Sequence, residues 1–248
     1  MKTSNKLLLG LLILILIVIT AGVVTIKLFS ESKSVNLSGV VITQEKEISE
    51  FTGLSLSGRI KVFYTHNEQA NLTLTGDSAL LNHVEIFLND NELSIKLNKK
   101  VADKNRVEVY LQNPGMNKLD VVAGAIFETT TAINMAALEA NASAGGIATV
   151  EGEFTEFKGS ASAGGIITVK GYVQHSTFNG SAGAQIQATE CIVQYCEVNV
   201  SAGAFAKINV EKELNASASA GGTIMYLGSP NIIGTDITSG GSLTKMEQ

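Results

Sequence analysis

Two cysteines five residues apart, a scatter of glutamates and a repeated serine are the residues of this chain whose types could do chemistry. A carbohydrate-cleaving site on a β-scaffold needs carboxylates converging on one face, for general acid and base work or to hold calcium. Glutamates occur at Glu139, Glu151, Glu153, Glu156, Glu190, Glu197, Glu211 and Glu213, but not at outward positions that recur from one repeat to the next. Glu151 and Lys170 share a register and could pair across repeats, which reads as surface electrostatics. Metal binding finds no CxxC or HExxH spacing, and His66, His83 and His175 are scattered. His175 reads as a surface imidazole without a partner. The glycine-rich phrases lack the Lys-Ser/Thr that would complete a phosphate cradle. No catalytic, cofactor-binding or metal-ligating residue is expected, and the chain reads as a non-enzyme. Cys191 and Cys196 remain, with two readings. In an oxidising compartment the intervening IVQY leaves room for a turn and a disulfide; otherwise they are two small buried residues.

The elements that carry these residues are set by a repeat. The phrases NASAGGIATVEG (141–152), SASAGGIITVKG (160–171), GSAGAQIQATE (180–190), VSAGAFAKINVE (200–211) and ASAGGTIMYLG (218–228) are copies of one another, and TSGGSLTKME (238–247) is a degraded copy. Their serines, Ser143, Ser162, Ser181, Ser201, Ser219 and Ser239, lie 19, 19, 20, 18 and 20 residues apart. VVAGAIFETT at 121–130 is an earlier copy. A period near 20 that tolerates a residue either way is the signature of stacked coils whose turns absorb the slippage.

Within each period the apolar residues alternate on both sides of the glycines. Ala148 and Val150, Ile167 and Val169, Ile186 and Ala188, Ala206 and Ile208, and Ile224 and Tyr226 should face inward, with Thr149, Thr168, Gln187 and Lys207 between them facing out. Before the serine, the small or apolar pairs from Ala140 and Ala142 to Ala216 and Ala218 should also face inward. Glycine serves the corner because it accepts positive φ. Chirality favours a right-handed coil. The expected fold class is therefore all-β, a right-handed parallel β-helix of about 20-residue coils stacked at roughly 4.8 Å.

The same alternation turns Asn141, Ser160, Asn179, Asn199 and Ser217 outward as one row, a flat polar ladder that could bind a glycan or a protein surface, or be an ordinary solvated face. Upstream, VEIFLNDNELSIKLN (84–98) reads as a hairpin about Asn89-Asp90-Asn91. The strands of 47–118 are expected to cover the first coil, and 119–248 to hold the repeats. Residues 1–6 carry two lysines, and Leu7–Ile26 runs without a charge for 20 residues, the length of a membrane-spanning helix. The expected organisation is a cytoplasmic 1–6, a single-pass anchor at 7–27, a Ser-rich linker at 28–46 and an extracytoplasmic remainder, periplasmic or at the cell surface. With a net charge of −5 and no basic cluster, nucleic acid is not an expected partner, and the oligomeric state is open.

FTGLSLSGRIKVFYT, VEIFLNDNELSIKL and the SAGG/SAGA copies, in that order and spacing, resemble the auto-transporter adhesin "head GIN" family, a domain of unknown function widespread in Bacteroidetes-type bacteria. The resemblance covers roughly 47–243. It implies a right-handed parallel β-helix shaped like pectin lyases but without their catalytic residues, and a role in cell adhesion. Beside that reading stand a membrane-tethered periplasmic component docking a protein partner and a degenerate carbohydrate-active β-helix.

Overall fold

A computed structural model describes Val35, residues 37–98 and residues 106–247. The anchor expected at 7–27 lies outside these residues, and among those described no helix is long and apolar enough to cross a membrane. Among the described residues, seventeen strands form one continuous hydrogen-bonded system, a β-solenoid. They are β1 (Val41–Lys46), β2 (Gly53–Ser57), β3 (Ile60–His66), β4 (Asn71–Asp77), β5 (Val84–Asn89), β6 (Glu92–Leu97), β7 (Val107–Asn113), β8 (Lys118–Val122) and β9 (Ile126–Thr129), followed by β10 (Ile133–Ser143), β11 (Ile147–Ala161), β12 (Ile166–Gly180), β13 (Gln185–Val200), β14 (Phe205–Ala218), β15 (Thr223–Gly228), β16 (Asn231–Ile237) and β17 (Ser242–Lys245). A short helical turn, α1 (Ser78–Leu81), joins β4 to β5.

From β8–β9 onward each further coil stacks in parallel on the one before it, beginning with β10 on β8 and β11 on β9. The inward residues named above fill the interior; Ala148, Val150, Ile167, Val169, Phe178 and Val198 are all fully buried. Each SAG phrase makes one corner. The Ser143 carbonyl accepts from the Gly146 N–H at 2.9 Å, and the same bond recurs from Gly165 to Ser162 and from Gly222 to Ser219. Ala144 and Gly145 both have positive φ, 48° and 75°, the φ pattern of a type I′ turn. From the sequence, that conformation belongs to glycine alone. The structure extends it to alanine at Ala123, Ala144, Ala163, Ala182, Ala202 and Ala220. The corners also bond to one another: the Gly164 N–H donates to the Ala182 carbonyl at 3.2 Å, and that of Gly183 to Ala202 at 3.1 Å.

Residues 47–118 contribute coils as well as a cover. β2–β3 forms a coil in parallel with β8–β9 on one side and with β6–β7 on the other. The first coil in sequence is thus held between two later ones. Above β6–β7 the direction reverses: β5 pairs antiparallel with β6, β4 with β7 and β1 with β4. This antiparallel layer ends the parallel stack. The β5–β6 hairpin turns through Asp90 and Asn91, both at positive φ, within the triplet that the sequence marks for it.

Candidate functional site

One outward face carries the polar ladder. Ser94, Ser55, Asp120, Asn141, Ser160, Asn179, Asn199, Ser217 and Asp236 stand in register on successive strands β6, β2, β8, β10, β11, β12, β13, β14 and β16. The five residues singled out from the sequence sit together at its centre and line a groove of about 480 Å³. A second row lines the same groove: Ser143, Ser162, Ser181, Ser201 and Ser219. In the sequence these serines serve only as markers of their turns. Their backbone carbonyls do close the turns, but alternation from Asn141 to Ser143 already places both side chains on one face.

The groove is uncharged along its centre and partly self-bonded. Asn199 Nδ2 donates to Asn179 Oδ1 at 3.3 Å and to Glu197 Oε1 at 3.1 Å. Asn141 Nδ2 donates to Asp120 Oδ1 at 2.9 Å. Between the two rows the groove is lined by small or aliphatic residues, Ala142, Ala161, Gly180 and Val200.

Charge gathers at the N-terminal end of the groove. Lys118 Nζ lies 3.1 Å from both Glu92 and Asp120, and hydrogen bonding to Glu92, then to Asp120, raises its pKa above the usual lysine value. Past this network the same face opens into a second cavity of about 390 Å³, lined by Ser55, Phe87, Glu92, Ser94 and Lys96 among others. The sequence alone does not single out Phe87; its place on the outward side of a predicted hairpin is the available signal.

The acids do not converge. Glu139 and Glu197 share a row but are separated by Lys158 and Thr177, and Lys170 pairs with Glu190 at 2.9 Å. Glu151 and Lys170 are in register, as their spacing predicts. Among the described residues no three of His, Cys, Asp and Glu are placed to hold a metal ion. His175 is exposed but not alone, since its ring stacks on Tyr195 with centroids 4.8 Å apart. The period carries that pairing, because His175 and Tyr195 are neighbours one coil apart. Cys191 and Cys196 are free thiols facing the interior, and burial pushes each up to about 12.

The sequence family described as "Putative auto-transporter adhesin, head GIN domain" matches residues 50–230. The chain belongs to this family. No curated protein matches it. Among solved structures, a "putative adhesin" from Bacteroides fragilis NCTC 9343 superposes with a TM-score of 0.73 at 17% identity, covering 84% of this chain and 97% of the other. A "putative lipid binding protein" from Parabacteroides distasonis ATCC 8503 gives 0.68 at 19% identity, with 87% and 100% covered. A "putative adhesin" from Parabacteroides merdae ATCC 43184 gives 0.64 at 18%, with 85% and 98% covered. The head GIN chain therefore shares its solenoid with these Bacteroides and Parabacteroides proteins, and the family's description is that of an adhesin rather than an enzyme.

Proposed function

We propose that this head GIN protein is a non-enzymatic, extracytoplasmic binding module, tethered by residues 7–27, that holds a linear uncharged glycan along the groove. The observation that carries this reading is the double row of hydroxyl and amide groups, Asn141 to Ser217 beside Ser143 to Ser219, in one groove of about 480 Å³. Each coil advances the rows by roughly 4.8 Å and offers one more donor and acceptor, so a polymer of repeated hydroxyls finds repeated partners. A protein partner would call for large aromatic or apolar anchors at the centre of the interface, and apart from its serines and asparagines this groove offers only Ala142, Ala161, Gly180 and Val200. A polyanion would call for clustered lysine or arginine. The name of the lipid-binding neighbour is a weaker guide, because the solenoid interior here is filled by buried side chains and offers an acyl chain no obvious place.

The test is binding of the full chain to a panel of neutral linear oligosaccharides, with the double variant Asn179→Ala/Asn199→Ala as comparison. Both side chains lie on the outside, so the fold is expected to survive. Binding that weakens at least tenfold in the variant supports the groove. Binding with unchanged affinity moves the site elsewhere, and none at all overturns the glycan reading. Protease access on intact cells tests the placement: cleavage before the envelope is opened supports display at the surface, and protection supports a periplasmic component.

A further inference from the structure

We infer that the glycan track extends past the central groove to an aromatic subsite on the β5–β6 hairpin, where Phe87 receives the end of a longer chain. The inference rests on the groove reading and adds a specificity-determining residue to it. Phe87 stands opposite Ser94 in the antiparallel pair β5–β6, and Ser94 is in register with Ser55, Asp120 and Asn141. Phe87 therefore occupies the top of the same outward row. It is 51% exposed, an aromatic ring left to solvent on an otherwise polar face. It borders the second cavity of about 390 Å³. Beside it the Ser94 hydroxyl is shielded from solvent and has no hydrogen-bond partner. A buried polar atom left unpaired is costly, and a ligand hydroxyl entering beside the ring would satisfy it.

The chemistry of the two cavities is complementary. The central groove offers hydrogen bonds without a stacking surface. The end cavity offers a ring face together with Glu92 and Lys96, which can bond to ring hydroxyls. Between them lies the ion network of Lys118, Glu92 and Asp120, which marks the junction. From β5 to β10 there are four strand spacings, about 19 Å, and the groove itself covers four more. A short oligomer fills the groove alone, and a chain about twice as long reaches Phe87.

The experiment compares short and long members of the same neutral oligosaccharide series on the full chain and on Phe87→Ala. The expected result is a loss of about tenfold in affinity for the long oligomer and none for the short one. Phe87→Trp supplies an independent readout, because the chain contains no tryptophan and the new indole is a single reporter. Its emission should shift with the long oligomer and stay fixed with the short one. Long-oligomer binding that ignores Phe87→Ala, while Asn179→Ala/Asn199→Ala still weakens it at least tenfold, overturns the subsite and leaves the groove standing. Equal loss for both lengths in Phe87→Ala, or an indole emission in Phe87→Trp that responds equally to both, also overturns it. Absence of binding at every length overturns both readings.

Discussion

The two halves of the solenoid are made of the same coil and assembled by different rules. From β10 to β17 every coil rests on its immediate predecessor, so contacts run between neighbours in sequence and the stack could extend or fray one coil at a time. Before β8 the order is broken. Leu54 on β2 lies between Leu93 on β6 and Leu119 on β8, so the earliest coil cannot complete its contacts until two later segments arrive. The regular half presents a long, repetitive polar face. The interleaved half supplies the closed end, through the antiparallel β4–β5 layer and β1. Solenoids need such an end because an open edge invites pairing with other chains. Contacts distant in sequence are thus concentrated where the polar ladder is shortest, and repetition where it is longest.

The largest loss of stability is expected at Phe157, at the heart of the regular half. Phe157 is fully buried and touches Phe154 and Phe178, with ring centroids 5.4 and 6.0 Å away. Phe157→Ala should cost about 3–5 kcal/mol through lost burial and a cavity. Hydrogen exchange should show the loss in β10 to β13, with β2, β3, β6 and β7 still protected. Uniform loss of protection would mean that the halves unfold together.

The next largest effect lies in the interleaved half. Asn113 is completely buried at the end of β7; its Nδ2 donates to the Phe51 carbonyl at 2.9 Å and to the Gly115 carbonyl, while its Oδ1 accepts from the Phe51 N–H. Tyr64 Oη donates to the Asn113 carbonyl at 3.0 Å. Asn113 thus ties the entry of β2 to the exit of β7. Asn113→Ala should cost roughly 2–4 kcal/mol by leaving the Phe51 backbone unpaired in the core. Denaturant unfolding should remain a single transition for these coils, because none of them is complete without the others.

The regular half is open to sequence reading because its period repeats. Ala148, Ile167 and Ile186 can be turned inward by counting from the serine, and Asn141 to Ser217 outward by the same count. The interleaved half lacks that period. SGRI at 57–60 takes the place of a SAG corner in its coil but makes a tighter turn, with Gly58 alone at positive φ (89°) and the Ile60 N–H donating to the Gly58 carbonyl at 2.8 Å, and it has no second glycine and no alanine to betray it. Its partners, across 39 and 65 residues from Ser57 to Lys96 and Val122, follow from tertiary order and leave no local mark. On the outward polar face the ladder is legible; Phe87 and the Lys118 network are not, because they depend on that order.

Thiol chemistry reports how the regular half opens. Cys191 and Cys196 sit in its interior on β13, and burial raises both to about 12. A thiol whose folded pKa lies above its unfolded value adds stability that is present below the unfolded pKa, and this is lost as pH rises from about 9 through 12. At neutral pH both should label only when their coils open. Labelling faster than global unfolding would place that opening in the C-terminal coils alone. Labelling at the global rate would give the two halves one fate.

At the corners of the regular half, adjacent positions separate two causes of strain. A Cβ on Gly165 would lie 2.1 Å from the Ala142 carbonyl oxygen of the preceding coil, whereas one on Gly164 would meet nothing within 4 Å. Gly165→Ala should therefore cost roughly 1–3 kcal/mol by prising two coils apart. Gly164→Ala meets only the strain of positive φ, about 1–2 kcal/mol. Ala163 already stands in that region, at a φ of 46°. Ala163→Gly should relieve the strain against a larger unfolded-state entropy, for a net gain of about 0.5 kcal/mol. Thermal unfolding of the three variants should rank Ala163→Gly above the parent and Gly165→Ala lowest. Gly165 is not at positive φ, so if Gly165→Ala cost no stability, the close approach between coils would play no part in choosing the second glycine.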